Sequence, residues 1–410
     1  MTARQVLSTL LACTLACPAW SQTQWTVDDD GPADFSNLQF AVNSVFPGDV
    51  LLIQPGVYGD VSIDKRLTLL GDPSGERPVL WSVEVEGVPR FTLAHLTMSK
   101  LRVADVASGS EVDDCLLNGF QIDGLLRVED AAQLRVQDTA IEPLGTTADG
   151  ATGAKVEGAS RVVFSDCEIR GGDATQDTFI GLSGWGGAGL RVLGDSRVTL
   201  AGCDVSGGDG EDYFLALGGF EAGRGGDAVA AFDQARVDVR GSSSNLLSGG
   251  IGDPFPVFGS SDDGFAVRQL GFSELRYSGV SLQGPVDLDT TEVTPAEPYG
   301  YVRGTGIPGE VERSFLFGPE GALAVLFASF EGALLELPVL AGIEVWLDPS
   351  QLAEASLFVL QGQDVAVNRT WETPLDPTFA GFTYELQGAV YDPLTDGFVG
   401  TNPAFIRALA

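Results

Sequence analysis

The chain has 410 residues, 57 acidic against 23 basic side chains, and a formal charge of −34. A surface this negative repels phosphate backbones and anionic lipid faces, which excludes nucleic-acid binding; the acidity reads as a solubility feature or as attraction for divalent cations. Apolar residues make up 44% of the sequence, enough for a sizeable core, yet no stretch beyond the leader is long and uncharged enough to span a bilayer.

The first element is an expected export signal over residues 1–21. Arg4 gives a basic start, residues 6–16 an apolar stretch too short to cross a membrane, and Ala19-Trp20-Ser21 a small-residue cleavage site. The product is then secreted or displayed at the cell surface. Leu10-Leu11-Ala12-Cys13 offers a lipoprotein alternative, with Cys13 as the acceptor. Once the leader is gone, Cys115, Cys167 and Cys203 remain, an odd set that builds no complete disulfide framework.

Residues 34–45 predict a short amphipathic helix, with Ser36 and Gln39 at capping-box spacing and Leu38, Ala41, Val42 and Val45 on one face. Its expected task is to cover the open end of a stacked repeat, because residues 154–169 and 190–205 align without a gap, as do 126–141 and 83–98. Looser copies run through 101–117, 228–244 and 266–282. Within each copy apolar and polar residues alternate over two short runs, which predicts strands. One column of the repeat is Leu96, Cys115, Thr139, Cys167, Cys203, Ser242 and Val280, at intervals of 19, 24, 28, 36, 39 and 38 residues. Coils of three short strands tolerate such drift, because extra residues in a turn bulge outward without disturbing the stack. The fold class is therefore all-β: a right-handed parallel β-helix over residues 22–284 with an N-terminal cap helix.

The opening of this region carries a resemblance. Leu38-Gln39-Phe40-Ala41-Val42, then Pro47-Gly48-Asp49-Val50, Pro55-Gly56-Val57-Tyr58, and finally Leu67-Thr68-Leu69-Leu70-Gly71 resemble the start of pectin-lyase-like right-handed β-helix proteins. About 40 residues carry it. The resemblance implies the fold and leaves the activity open, since that superfamily holds lyases, hydrolases, esterases, epimerases and non-catalytic surface proteins. Residues 285–300 are polar and proline-containing and read as a linker. Short apolar runs over 301–410 predict a small C-terminal β-sandwich, whose ending is similar to C-terminal domains on exported repeat proteins of Planctomycetes-type bacteria.

No complete lyase, hydrolase, esterase or epimerase motif is present, and no catalytic residue is assigned. The single histidine, His95, aligns with Asp114, Asp138 and Asp166 at a strand edge, where aspartate closes turns and where β-helix enzymes also gather acids. The richer signal is three inserts at one place in successive coils, residues 171–187, 207–226 and 248–264. They carry Phe179 and Trp185, then Tyr213, Phe214 and Phe220, then Phe255 and Phe258. Stacked side by side, they make a candidate platform for a sugar ring, or else a satellite core beneath long loops. Gly207-Gly208-Asp209-Gly210-Glu211-Asp212 fits a calcium nonapeptide once, without the tandem second copy between which such sites form, so Asp209 and Asp212 are the calcium candidates. The expected partner is an extracellular polysaccharide or a cell-surface component. The alternatives are a polysaccharide lyase or glycoside hydrolase using acids with Arg170, Arg191 or Arg224, and a purely structural envelope protein.

Overall fold

Short alternating strands leave their backbone polar groups unpaired unless each finds a neighbour on both sides, and stacking coil upon coil supplies both. A computed structural model describes residues 23–293 apart from 108, 122, 145–148, 175–183, 212, 215–219, 222 and 253–261, and beyond them 297–303, 311–318, 322–329, 332–336, 344–347, 352–360, 369–372, 383–392 and 397–407. Three parallel sheets, here A, B and C, hold eleven, nine and eight strands, and the chain winds through them as a right-handed parallel β-helix. One coil passes from Leu126–Glu129 in C to Leu134–Gln137 in A and Ala140–Ile141 in B, before Ala154–Glu157 opens the next coil in C.

The gapless copies are stacked rungs. Val156 pairs with Val192, Phe164 with Leu200 and Ile169 with Val205. Leu96, Cys115, Thr139, Cys167 and Cys203 lie inside the column, none more than 3% exposed, and Val280 packs half-buried against the same core. Ser242 departs from the expectation. Val205 comes four positions after Ala201, but its partner Leu247 comes seven positions after Arg240, the partner of Ala201, so sheet-B register puts Asn245 where Ser242 was expected. The three thiols are free and buried; burial pushes Cys115 up to about 12, and burial with Cys203 alongside raises Cys167 well above the ordinary range.

The bends between sheets explain the aspartate and glycine columns. His95, Asp114, Asp138, Asp166, Gly202 and Gly279, at the A-to-B bend, have φ between 45° and 71°. A second left-handed column, Gly87, Asp105, Asp130, Gly158, Gly194, Asp233 and Gly271, turns C into A. Glycine enters this region without steric cost, and aspartate tolerates it better than most side chains do.

The cap helix, α1, spans Leu38–Ser44, with Leu38, Ala41 and Val42 buried as the periodicity requires. Its N-cap is Asn37, whose Oδ1 accepts from Phe40 N at 2.8 Å, and not the Ser36 of the expected capping box. Gln39 is thereby freed for another task. Its amide accepts from Ser62 N at 2.7 Å and donates to Ser62 O at 3.2 Å, standing in for the missing strand at the open edge of sheet C. At the far end the stretch expected as a linker continues the column: Val286 bridges Val267, and Thr291–Glu292 adds a last strand to sheet A beside Glu274–Ser278.

The C-terminal strands form two antiparallel sheets, of three and four strands, and a two-stranded ribbon. Leu316 of the first sheet shares a core with Ala324 and Val390 of the second, the arrangement of a β-sandwich. This domain lies on the outer face of sheet A. Asn402 Nδ2 donates to Ser165 Oγ at 3.1 Å, and Arg240 Nη1 donates to Gly400 O at 2.8 Å. Near that contact Arg276 bonds Glu297 at 2.6 Å and faces Asp238 at 3.6 Å. Burial, opposed by Arg240 and Arg276, raises the Asp238 carboxyl above its ordinary value. A raised folded-state value means that ionising Asp238 costs stability once pH climbs past the unfolded value of about 3.9. Asp238→Asn is expected to raise the melting temperature at pH 7, with the gain vanishing near pH 3. Equal gains at both values would remove the charge explanation.

Candidate functional site

All three inserts leave sheet B and return to sheet C, so they stack along one flank. Their glycines form the neck of that stack. Gly172 N donates to Ala151 O at 2.7 Å, and the line continues through Gly187, Gly208, Gly226, Gly250 and Gly264, each N–H donating at 2.8 Å to the carbonyl of the glycine before it. Outgoing legs at 172, 208 and 250 thus alternate with returning legs at 187, 226 and 264. A Cβ on Gly208 would sit 2.0 Å from Gly172 O, and one on Gly226 2.0 Å from Gly187 O. These glycines serve close backbone approach rather than flexibility.

Aspartates fasten the outgoing legs to one another. Asp173 Oδ1 accepts from Asp209 N at 2.9 Å, and Asp209 Oδ1 accepts from Ile251 N at 2.7 Å. The calcium candidate Asp209 therefore already has a structural partner, while Asp212 lies outside the described residues. Among the described residues, the carboxylates close enough to share a cation are Asp28, Asp29 and Asp30, near the N-terminal end. Higher up, Gly184 of the first insert and Glu211 of the second exchange N–H···O bonds at 3.2 Å. Tyr213–Phe214 and Phe220–Glu221 form an antiparallel ribbon, with Phe214 opposite Phe220. Trp185 is anchored through its backbone, N to Asp149 Oδ1 at 3.2 Å and O from Gly150 N at 2.7 Å, while its residue stays 61% exposed. Phe179, Phe255 and Phe258 lie outside the described residues.

The cations considered for lyase chemistry are engaged. Arg170 Nε donates to Glu168 at 2.8 Å, Arg224 bonds Asp227 at 3.3 Å, and the Arg191 guanidinium lies 5.2 Å from the Phe232 ring centroid. His95 Nδ1 is 2.6 Å from Asp114 Oδ2, and Arg77 pairs with the same carboxylate.

A second concavity, marked by no motif in the sequence, lies between the A-to-B bends and the C-terminal domain. It encloses about 600 Å³. Asp114, Asp138 and Asp166 line it from successive coils, and the stacked rings of Tyr299 and Phe317, 4.6 Å apart and 5° from parallel, line it from the sandwich. The aspartate column was legible in the sequence as turn chemistry. Its position opposite an aromatic wall depends on how the second domain docks, for which no local pattern codes.

No family model and no curated protein matches this chain. Two surfaces of the molecule are shaped to meet a ligand, the necked insert flank and the interdomain cleft.

Proposed function

We propose that this is an exported or cell-surface β-helix protein, placed by its opening residues in the pectin-lyase-like superfamily, that holds an extracellular glycan or surface component on the flank built by its three inserts. The observation that carries the reading is the glycine neck beneath an exposed Trp185. An aromatic ring kept in water by a rigid base loses little conformational freedom on stacking against a sugar, so its binding free energy is not consumed by ordering a loop. Polysaccharide ligands also suit a repeating scaffold, because successive inserts meet successive sugar units.

Screening the full chain on a glycan array identifies the ligand class, and Trp185→Ala tests the site. The variant is expected to bind about tenfold more weakly, as for a central aromatic contact, with its melting temperature unchanged because the ring is solvent-facing. Glycan binding that survives simultaneous loss of Trp185, Tyr213 and Phe258 removes the proposal.

A further inference from the structure

Resting on the glycan reading of the insert flank, we propose that its ligand is a neutral, unbranched polysaccharide that lies parallel to the column axis in a groove at the foot of the outgoing insert legs. This groove encloses about 440 Å³ on the outer side of sheet B, a volume typical of ligand sites. Its floor is a single outward column, Asn118, Glu142, Arg170, Ser206, Ser248 and Gln283, supplied by six successive coils. Adjacent rungs lie about 4.8 Å apart, so the floor runs about 24 Å along the axis. The legs that begin at Gly171, Gly207 and Gly249 make one wall. At the N-terminal end Leu144 N donates to Gly119 O at 2.9 Å, which sets Leu144 beside Phe120 on the adjacent coil; both side chains are exposed and offer an apolar surface to a sugar ring face.

The charged groups of the groove are already occupied. Arg170 is bonded to Glu168 and lies within reach of the Glu142 charge, while Asp173 and Asp209 each accept from the backbone N–H of the next leg. What remains open is neutral: among the described residues, the amides of Asn118 and Gln283 and the Ser206 hydroxyl have no hydrogen-bond partner. Amides and hydroxyls both donate and accept, as sugar hydroxyls do, so the match needs no charge on the ligand. A polyanion would meet the −34 formal charge of the chain with the groove's cation already held. An extended peptide binds a sheet by pairing with a free edge, and this floor offers none, because Gly171 N, Gly207 N and Gly249 N already donate to the carbonyls of Ser206, Ser248 and Gln283.

Calorimetric titration of the full chain compares β-linked hexamers of glucose, mannose, galactose and xylose with hexagalacturonate, a glucosamine hexamer and a hexapeptide of alternating Ser and Gln. At least one neutral hexamer is expected to bind about tenfold more tightly than either charged hexamer, the peptide or its own disaccharide, and to keep its affinity as salt rises. Asn118→Ala and Gln283→Ala should each weaken that hexamer about fivefold, the scale of one net hydrogen bond, with melting temperatures unchanged. The two positions stand at opposite ends of the floor, so only a ligand laid along the axis feels both. Preference for a charged hexamer or the peptide, equal affinity for the disaccharide, or indifference to either substitution would overturn the proposal. Weaker binding in Trp185→Ala with both groove variants unaffected would keep the glycan reading and remove the groove; failure of every glycan on the array would remove both.

Discussion

Gly208→Ala is expected to lower the melting temperature of the protein by roughly 6–12 °C, from an overpacking cost of about 3 kcal/mol at about 2–4 °C per kcal/mol for a domain of this size. The added methyl would stand 2.0 Å from Gly172 O and 2.4 Å from Gly172 C, both backbone atoms of the insert below. No side-chain rotation relieves that clash. Two legs of the stack must separate, and the hydrogen bonds from Gly208 N to Gly187 O and from Gly226 N to Gly208 O, each 2.8 Å, lengthen with them. Gly59→Ala serves as the control, because a Cβ there meets nothing within 4 Å. Its melting temperature should hold or rise slightly as the unfolded chain loses freedom. Matching curves for Gly208→Ala and the parent protein would mean that the insert legs are not in contact.

The second large effect is expected at Glu111. This carboxylate is fully buried on the outer face of sheet A, with Arg135 Nη2 at 2.7 Å and Arg90 Nη2 at 3.2 Å; the Arg135 side chain is 2% exposed. Removing the acid alone leaves a buried guanidinium without its main counter-charge, which costs about 3–5 kcal/mol. Glu111→Ala should therefore shift the denaturant midpoint strongly downward. Replacing both partners by apolar residues of similar size, Glu111→Leu with Arg135→Met, should recover most of the loss, because the desolvation of both charges disappears together. A single substitution costing under about 1 kcal/mol would place the pair in water.

Glu111 and Arg135 also show where local pattern stops being informative. Alternation assigns both to the outward side of their strands, next to the inward Val112, Leu134 and Val136. In an isolated β-helix an outward polar residue faces water. Here Thr92, Gln137 and Ser165 on the same face are at most 6% exposed as well, and the sandwich strands Tyr299–Arg303 and Gly397–Arg407 lie against this sheet. The alternating pattern reports which side faces the column's core, and it is blind to a second domain arriving on the other side.

The glycines divide in the same way. At the bends, Asp or Gly at a fixed register position is a local demand of left-handed backbone, so the columns could be read directly from aligned copies. In the inserts, glycine answers a contact with a leg one coil away, as Gly208 does with Gly172 O and Gly250 with Gly208 O, and the same composition is equally compatible with a loose loop. Only the stacked arrangement distinguishes the two. The cap helix falls between these cases: its buried face follows from periodicity, whereas Asn37 rather than Ser36 caps it and Gln39 bonds Ser62, more than twenty residues on, instead of closing a capping box.

What the amino-acid sequence determined unaided is the winding: repeat register, inward column, bends and the common origin of the three inserts, because each arises from side-chain period and backbone sterics within a few residues. Tertiary structure alone decided that the inserts are pinned at a glycine neck, that one outward face is buried, and that a column of turn aspartates borders a cleft. Those outcomes come from contacts between segments far apart in the chain, whose free energy depends on the docked geometry rather than on any neighbouring residue.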